Sequence, residues 1–146
     1  MLYIASDHGG FNLKQTVMEC LDAQGVKYID LGVDSRDSVD YPDYAAAVAE
    51  KIMQDPAAEG ILICGTGIGM SITANKFPGV RAALVHDEFT ARMAREHNNA
   101  NILILGGRVV DPDMACTMVR IWLSSSYEGG RHQNRLDKIH ALEPSA

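Results

Sequence analysis

The chain has 146 residues, of which 47% are hydrophobic, and its formal net charge is −6. This length predicts a single domain over residues 1–146, with enough apolar side chains for a buried core. The negative charge argues against non-specific binding to nucleic acid or to an anionic membrane. No apolar run reaches the length of a membrane span, and the first residues lack the basic and apolar segments of a signal peptide. We therefore expect neither a nucleic-acid partner nor a membrane partner.

The three cysteines, Cys20, Cys64 and Cys116, are widely spaced in the sequence. An odd number at such spacings predicts neither a disulfide framework nor a zinc site. Disulfides are rare in reducing compartments, so this usage indicates a cytoplasmic protein.

The first part of the sequence predicts two strand–helix units. The spacing of Leu13, Val17 and Leu21 marks one face of a helix, and Gly25 is placed to end it. The pair Asp55 and Pro56 ends the second helix, because proline lacks an amide N–H and breaks the helical ladder. The predicted elements are a strand over residues 2–6, a helix over 12–24, a strand over 26–31, a polar loop over 32–40 and a helix over 41–54.

A short apolar run and a glycine-rich turn lie at the centre of the chain. Residues 61–64 predict a buried strand, and glycines at 65, 67 and 69 allow the backbone to approach a ligand closely. A helical pattern resumes at about Met70. A strand, a glycine turn and a helix start form an anion cradle, because free backbone N–H groups point at one spot.

Two side chains provide this cradle with reactive groups. Cys64 lies where the cradle begins, and a thiol near a helix N-terminus is favoured as a thiolate. Thr66 adds a hydroxyl two residues later. The dinucleotide fingerprint is not met, because Met70 stands where its third glycine is required. The phosphate-binding loop G-x-x-x-x-G-K-[ST] is also absent. The cradle is therefore not predicted to be an ordinary nucleotide site.

The second part of the sequence continues the alternation of helices and strands. Asp111 and Pro112 are typical of the cap and first turn of a helix. The predicted elements are a helix over 70–77, a strand over 80–85, a helix over 88–96, a strand over 101–105, a helix over 111–123 and a last helix over about 129–142. The five strands predict an α/β fold, a Rossmann-like three-layer α/β/α sandwich with a five-stranded parallel sheet.

Polar residues cluster after the predicted strands, where such sheets bind ligands. These residues are Asp7, His8, Cys64, Thr66, His86, Asp87 and Arg108. His97 and Asn98 instead precede the last strand, which places them near the opposite edge of the sheet. This mismatch indicates that a second subunit supplies that pair.

Two arginines in the last helix, Arg131 and Arg135, are four residues apart and share one helix face. Together with Arg108 they form a set of three guanidinium groups in an acidic protein. Solvation of the surface is one interpretation. A phosphate clamp is the other, because the guanidinium fork matches phosphate geometry.

Taken together, the order of these motifs resembles that of the class B ribose-5-phosphate isomerases. The matching segments are DHGGF at 7–11, DYP at 40–42, CGTGIG at 64–69, ANK at 74–76, GVRA at 79–82, EHN at 96–98, GR at 107–108 and EGGRHQNR at 128–135. The resemblance runs from Ile4 to about Leu142. The related galactose-6-phosphate isomerase subunits share the fold and part of the cradle, but generally lack the catalytic histidine and the Gly-Gly-Arg-His tail.

The resemblance implies catalytic roles for four residues. Cys64 matches the base that moves a proton between carbons 1 and 2 of the open sugar. Some members use a glutamate at the position of Met70 instead, so the apolar residue here implies the cysteine branch. Thr66 and the backbone amides of Gly65, Gly67, Ile68 and Gly69 match the groups that stabilise the enediolate. His97 and Asp7 match residues that assist opening of the furanose ring.

The resemblance also implies a substrate-binding set. Asn98 matches a substrate-binding asparagine, and Tyr41 matches a tyrosine near the sugar hydroxyls. The residues that match the phosphate-binding set are His8, Arg108, Arg131 and Arg135. The family is dimeric or tetrameric, with sites shared between subunits, and it uses no metal and no organic cofactor.

The implied activity is the interconversion of D-ribose 5-phosphate and D-ribulose 5-phosphate. One alternative is isomerisation of a six-carbon sugar phosphate, such as allose 6-phosphate or galactose 6-phosphate. A second alternative is a non-catalytic sugar-phosphate sensor, which would tolerate loss of Cys64 or His97.

Overall fold

The computed structural model describes residues 1–144. Within this range five parallel strands form one sheet, namely β1 (Leu2–Ser6), β2 (Tyr28–Asp30), β3 (Glu59–Cys64), β4 (Ala82–Leu84) and β5 (Ile102–Gly106). The helices are α1 (Phe11–Ala23), α2 (Tyr41–Gln54), α3 (Ile68–Ala74), α4 (Glu88–Glu96), α5 (Pro112–Ser124) and α6 (Arg131–His140). A short 3-10 helix, His8–Gly10, joins β1 to α1. The predicted five-stranded parallel sheet is confirmed.

Each face of the sheet carries its own apolar core, because side chains alternate along a strand. On β3, Ile61 and Ile63 face the layer of α1, α4 and α5, in which Trp122 is fully buried. Leu62 and Cys64 face the opposite layer, which is formed by α2 and α3. The predicted α/β/α sandwich is therefore confirmed. Among residues 1–144, no helix has the length and apolar character needed to cross a bilayer.

The edge where β1 and β3 end is a topological switch point. The strand order is β2-β1-β3-β5-β4, so the chain leaves β1 toward one side of the sheet and β3 toward the other. Ser6 pairs with Ile63, which brings Asp7 beside Cys64. Open α/β sheets bind ligands in the crevice beyond such strand ends. The fold thus presents two of the predicted site residues where a ligand is expected.

Strands β2 and β4 are shorter than predicted. In each case a hydrogen bond outside the sheet explains why the strand begins late. The Arg81 N–H donates to the side-chain oxygen of Asn101 at 2.8 Å, so β4 begins only after it. The Val26 N–H donates to the Leu21 carbonyl at 3.0 Å, so Val26 belongs to the turn that follows α1 rather than to β2.

Helices α3 and α6 begin at glycine turns. Gly67 has a φ of 82° and turns the chain into α3 two residues earlier than predicted. Gly129 and Gly130 have φ values of 66° and 57°, outside the α-helical region, so α6 begins two residues later than predicted. It ends at His140, inside the predicted limit of about 142.

The prediction that the cysteines form no disulfide was wrong for two of them. Cys20 on α1 and Cys116 on α5 form a disulfide, with Cα atoms 6.0 Å apart. The two helices pack side by side on one face of the sheet, which brings together residues separated by 96 positions in the sequence. Within residues 1–144, Cys64 is the free cysteine, and it is buried.

Candidate active site

The turn after β3 holds the Cys64 thiol against the first residues of α3. The Gly67 N–H donates to Cys64 Sγ at 3.2 Å, and the Ile68 N–H donates to Thr66 Oγ1 at 3.3 Å. A Cβ added to Gly67 would lie 2.5 Å from Leu84 Cδ1, so both space and the positive φ require glycine there. The predicted cradle therefore places a thiol, a hydroxyl and backbone N–H groups within one turn.

Asp7 and His8 lie beside the cradle, at the end of β1. Asp7 Oδ1 accepts from the Gly10 N–H at 3.0 Å, which fixes the carboxylate at the start of the 3-10 helix. His8 Nδ1 accepts from the Val39 N–H at 3.2 Å, so its ring presents Nε2 as the N–H side. A Cβ added to Gly9 would lie 3.2 Å from the Gly65 nitrogen. The turn that carries Asp7 and His8 is thus packed directly on the cradle.

Arg108 and Tyr41 complete this side of the site. The Arg108 N–H donates to the Gly65 carbonyl at 2.9 Å, and a Cβ on Gly65 would lie 3.1 Å from Arg108 Nη1. A Cβ on Gly69 would lie 2.4 Å from the Tyr41 ring. Arginine and tyrosine therefore contact the glycine turn from opposite ends. One edge of the sheet brings together the predicted residues Asp7, His8, Tyr41, Cys64, Gly65, Thr66, Gly67, Ile68, Gly69 and Arg108.

Four other predicted residues lie elsewhere. Cys64 pairs with Gly106 and Gly60 pairs with Ile102, so β5 begins four residues before the level of the cradle. At about 3.3 Å per residue this is about 13 Å. The turn of His97 and Asn98 precedes Ile102 and lies near the opposite edge. The remaining two residues, Arg131 and Arg135, lie exposed on α6.

The turn that carries His97 and Asn98 is held firmly. His97 is the C-cap of α4, and Asn99 has a φ of 44°. Arg81 Nε donates to the Asn99 carbonyl at 2.9 Å, and Arg95 Nη1 donates to Asn99 Oδ1 at 3.2 Å. Burial, together with the neighbouring Arg95 charge, lowers the pKa of Arg81. These contacts leave Asn98 exposed and fix the backbone from which it projects.

His97 lies in a cluster that the sequence reasoning missed. Its ring stacks on that of His132, with centroids 4.1 Å apart and planes inclined by 19°. Glu128 Oε2 lies 3.4 Å from His132 Nε2 and 3.9 Å from His97 Nε2. The spacing of Glu128 and His132, four residues apart, was a signal for part of this cluster. Its contact with His97 is not readable from the sequence, because 31 positions separate Glu128 from His97.

The same three side chains are a group of metal-ligand types within residues 1–144, with ligand atoms inside 4.8 Å. A metal ion bound by imidazole lies close to the ring plane, at about 2.0–2.1 Å from the nitrogen. Two stacked planes inclined by 19° meet far beyond that distance. The arrangement therefore favours contact between the rings over chelation. The absence of a metal cofactor stays a prediction.

The sequence and the backbone of this chain are similar to those of known isomerases. A ribose/galactose isomerase family model matches residues 2–139. Ribose-5-phosphate isomerase B of Escherichia coli K12 is 46% identical over 137 residues, which cover 94% of this chain and 92% of that protein. The structure of Clostridium thermocellum ribose-5-phosphate isomerase B is 49% identical, with a TM-score of 0.94, over 97% of this chain and 95% of that chain.

A further solved structure carries a ligand. It is Mycoplasma genitalium ribose-5-phosphate isomerase B with bound ribulose-5-phosphate, 46% identical, with a TM-score of 0.92 over 96% of this chain and 93% of that chain. Both the sequence match and the backbone match extend over nearly the whole length. The chain therefore belongs to the ribose/galactose isomerase family.

Proposed function

We propose that this chain is an aldose–ketose isomerase that interconverts D-ribose 5-phosphate and D-ribulose 5-phosphate. The observation that carries the proposal is the Cys64 thiol, held by the Gly67 N–H in a turn rich in backbone donors. Similar proteins named ribose-5-phosphate isomerase B, one with ribulose-5-phosphate bound, support the choice of substrate.

The proton transfer uses the cradle. The Cys64 thiolate removes the proton from carbon 2 of the open aldose, and the electron pair moves to the carbonyl oxygen on carbon 1. Backbone amides of residues 65–69 and the Thr66 hydroxyl stabilise the enediolate. The thiol then returns the proton to carbon 1, while the hydroxyl proton on the oxygen of carbon 2 moves to the oxygen of carbon 1, which leaves the carbonyl on carbon 2 and gives the ketose. A positioned base contributes about 10²–10⁴-fold, and one oxyanion donor about 10²–10³-fold.

The aldose must first open its ring. The proton on the anomeric hydroxyl leaves, the bond from carbon 1 to the ring oxygen breaks, and that oxygen gains a proton. We assign this exchange to His97 and Asp7. Asn98 and Tyr41 bind sugar hydroxyls, and the phosphate is held away from the reacting carbons, which orients the sugar. The proposed phosphate ligands are His8 and Arg108 beside the cradle of one chain, together with Arg131 of the partner subunit and Arg135 of the partner subunit.

The proposal requires a homodimer, or a homotetramer built from such dimers. His97 and Cys64 lie near opposite edges of the sheet, yet both must reach one sugar. A two-fold dimer brings His97 of the partner subunit to this chain's cradle. Support comes from large apolar side chains that are exposed on the elements around the cradle, where a partner subunit would bury them. These side chains are Ile68, Ile72, Phe89 and Val109.

A cytoplasmic location is part of the proposal. A doubly charged phosphate ester crosses an apolar bilayer poorly, so the enzyme belongs in the compartment where the ester is made. The disulfide between Cys20 and Cys116 is unusual for a reducing compartment. Assay of the activity in separated cytoplasmic and extracytoplasmic fractions of the cells tests the location.

The test of the function is a coupled assay of the purified protein with ribose 5-phosphate and with allose 6-phosphate, in the presence of EDTA. We expect turnover of the pentose phosphate to exceed that of the hexose phosphate. Faster turnover of allose 6-phosphate would assign the six-carbon activity instead. Binding of both sugars without turnover would identify a sensor.

A further inference from the structure

We propose that Glu128 is a positioning residue that holds the His97 ring for opening of the sugar ring. The proposal rests on the isomerase function proposed above and adds a residue to it. Glu128 does not exchange a proton with the sugar. It acts through His97, whose Nε2 it faces at 3.9 Å.

The backbone fixes where the Glu128 carboxylate begins. The Glu128 N–H donates to the Glu96 carbonyl at 3.0 Å, so the segment before α6 is tied to the residue that precedes His97. Gly129 and Gly130 then turn the chain through positive φ values, and α6 begins at the next residue. This sharp turn places His132 in the first turn of α6, where its ring meets that of His97.

The surroundings restrict how the three side chains can move. His132 is more than nine-tenths buried, so its ring has little freedom to move and limits the motion of the more exposed His97 ring stacked on it. Both Nε2 atoms face the same carboxylate oxygen, at 3.4 Å and 3.9 Å. At 3.9 Å the carboxylate is too far to accept a hydrogen bond from His97 Nε2, but its negative charge favours an N–H on that nitrogen over a lone pair. Nδ1 is then the nitrogen left to exchange a proton with the sugar.

Loss of the charge has a defined consequence. Without the carboxylate, the imidazole of His97 loses the negative charge that favours an N–H on Nε2 and that stabilises the imidazolium formed during ring opening. Only the ring-opening step involves His97. Proton transfer at Cys64 takes place in the other group of residues and is left intact.

Ring opening and proton transfer can be measured separately, because only one of the two sugar phosphates needs its ring opened. Ribose 5-phosphate exists mainly as a closed furanose and must be opened. Ribulose 5-phosphate has its carbonyl on carbon 2 and its phosphate on the oxygen of carbon 5, so it cannot close a five-membered ring. Exchange of its carbon-1 hydrogen with D2O therefore needs the base and the cradle, but no ring opening.

The experiment compares Glu128→Gln with the wild type in both reactions. We expect kcat for ribose 5-phosphate to fall on the order of 10-fold to 100-fold, as misplacement of a catalytic group does. Deuterium uptake into carbon 1 of ribulose 5-phosphate, followed by NMR, should stay within about twofold of the wild type, because the proton-transfer groups are unchanged. Glu96→Gln is the matched control, since it removes the same charge from the residue next to His97 and should leave both rates unchanged.

Other outcomes overturn the proposal. Equal losses in both reactions would make Glu128 a general structural residue, and no loss in either would remove its role. If Glu128→Gln fails to fold, Glu128→Asp keeps the charge with a shorter side chain and should show the same split between the reactions. A wild type that catalyses neither reaction would instead refute the isomerase function.

Discussion

The Gly67 N–H and the Cys64 sulfur are 3.2 Å apart, so the backbone that shapes the cradle also holds the candidate base. A single turn thus fixes both the proton acceptor and the amides that are proposed to stabilise the negative charge of the enediolate. Substitutions at these two residues test chemistry and shape separately.

Cys64→Ala should abolish measurable isomerisation, with kcat reduced by about 10²–10⁴-fold, because the proposed base is removed. The change deletes one sulfur atom at the edge of the core, so the thermal midpoint should change little and binding of inorganic phosphate should persist. The assay is the coupled reaction, with calorimetry for stability. Retention of most of the activity would rule out Cys64 as the base.

Gly67→Ala should destabilise the protein more than Gly25→Ala. Both glycines have positive φ, 82° and 70°, so each alanine carries left-handed strain of about 1–2 kcal/mol. A Cβ at Gly67 also meets Leu84 at 2.5 Å, whereas nothing lies within 4 Å of one at Gly25. Denaturant unfolding measures both variants, and Gly67→Ala should also lose activity. Equal destabilisation of the two variants would contradict this prediction and show that Leu84 moves to accommodate a Cβ at position 67.

Titration of thiols without reductant should find one free cysteine in the unfolded protein and three after reduction. In the folded protein without reductant, iodoacetamide should modify only Cys64, and bound ribose 5-phosphate should protect it. The disulfide closes a loop of nearly one hundred residues, so reduction should lower the free energy of unfolding by up to about 4.7 kcal/mol. The variant with both Cys20→Ser and Cys116→Ser should show no effect of reductant. Three thiols before reduction would contradict the pairing.

Asp87 is the N-cap of α4, the helix whose C-cap is His97, and its carboxylate should make the stability of this helix depend on pH. The Thr90 N–H donates to Asp87 Oδ1 at 2.8 Å, and this bond, with the Thr90 hydroxyl, lowers the pKa of Asp87. A carboxyl whose pKa is lowered by folding stabilises the protein above its unfolded pKa, and this stabilisation is lost as pH falls through the folded pKa. Asp87→Asn should therefore lower the thermal midpoint at neutral pH and match the wild type in acid. Asp37→Asn, in an exposed loop, is the control.

Mixing two inactive variants tests the shared site. Cys64→Ala and His97→Ala chains, dissociated and reassociated together, should form heterodimers with one intact site and up to about half of the wild-type activity per dimer. Mass spectrometry verifies that mixed dimers form. If they form and activity stays at the level of the single variants, each site is contained in one chain.

Local patterns in the sequence were sufficient for the elements and for one side of the site. The alternate glycines from Gly65 to Gly69 specify a tight turn whatever surrounds it, and the position of His97 before a strand placed it at the other edge. The pairing of Cys20 with Cys116 was not predictable, because it depends on how α1 and α5 pack. The contact of His97 with Glu128 depends likewise on where α6 docks. Residue spacing predicts local geometry such as turns and helix faces, whereas the position of a packed helix depends on contacts throughout the core.

The bond between Cys20 and Cys116 joins the first helix to the fifth and encloses most of the sheet. A protease that cuts any single peptide bond between these residues leaves one covalent molecule. The exposed loop after β2 lies inside this span, as does the cradle itself. On a non-reducing gel a nicked chain should run as a single species, and the fragments should separate only after the disulfide is reduced.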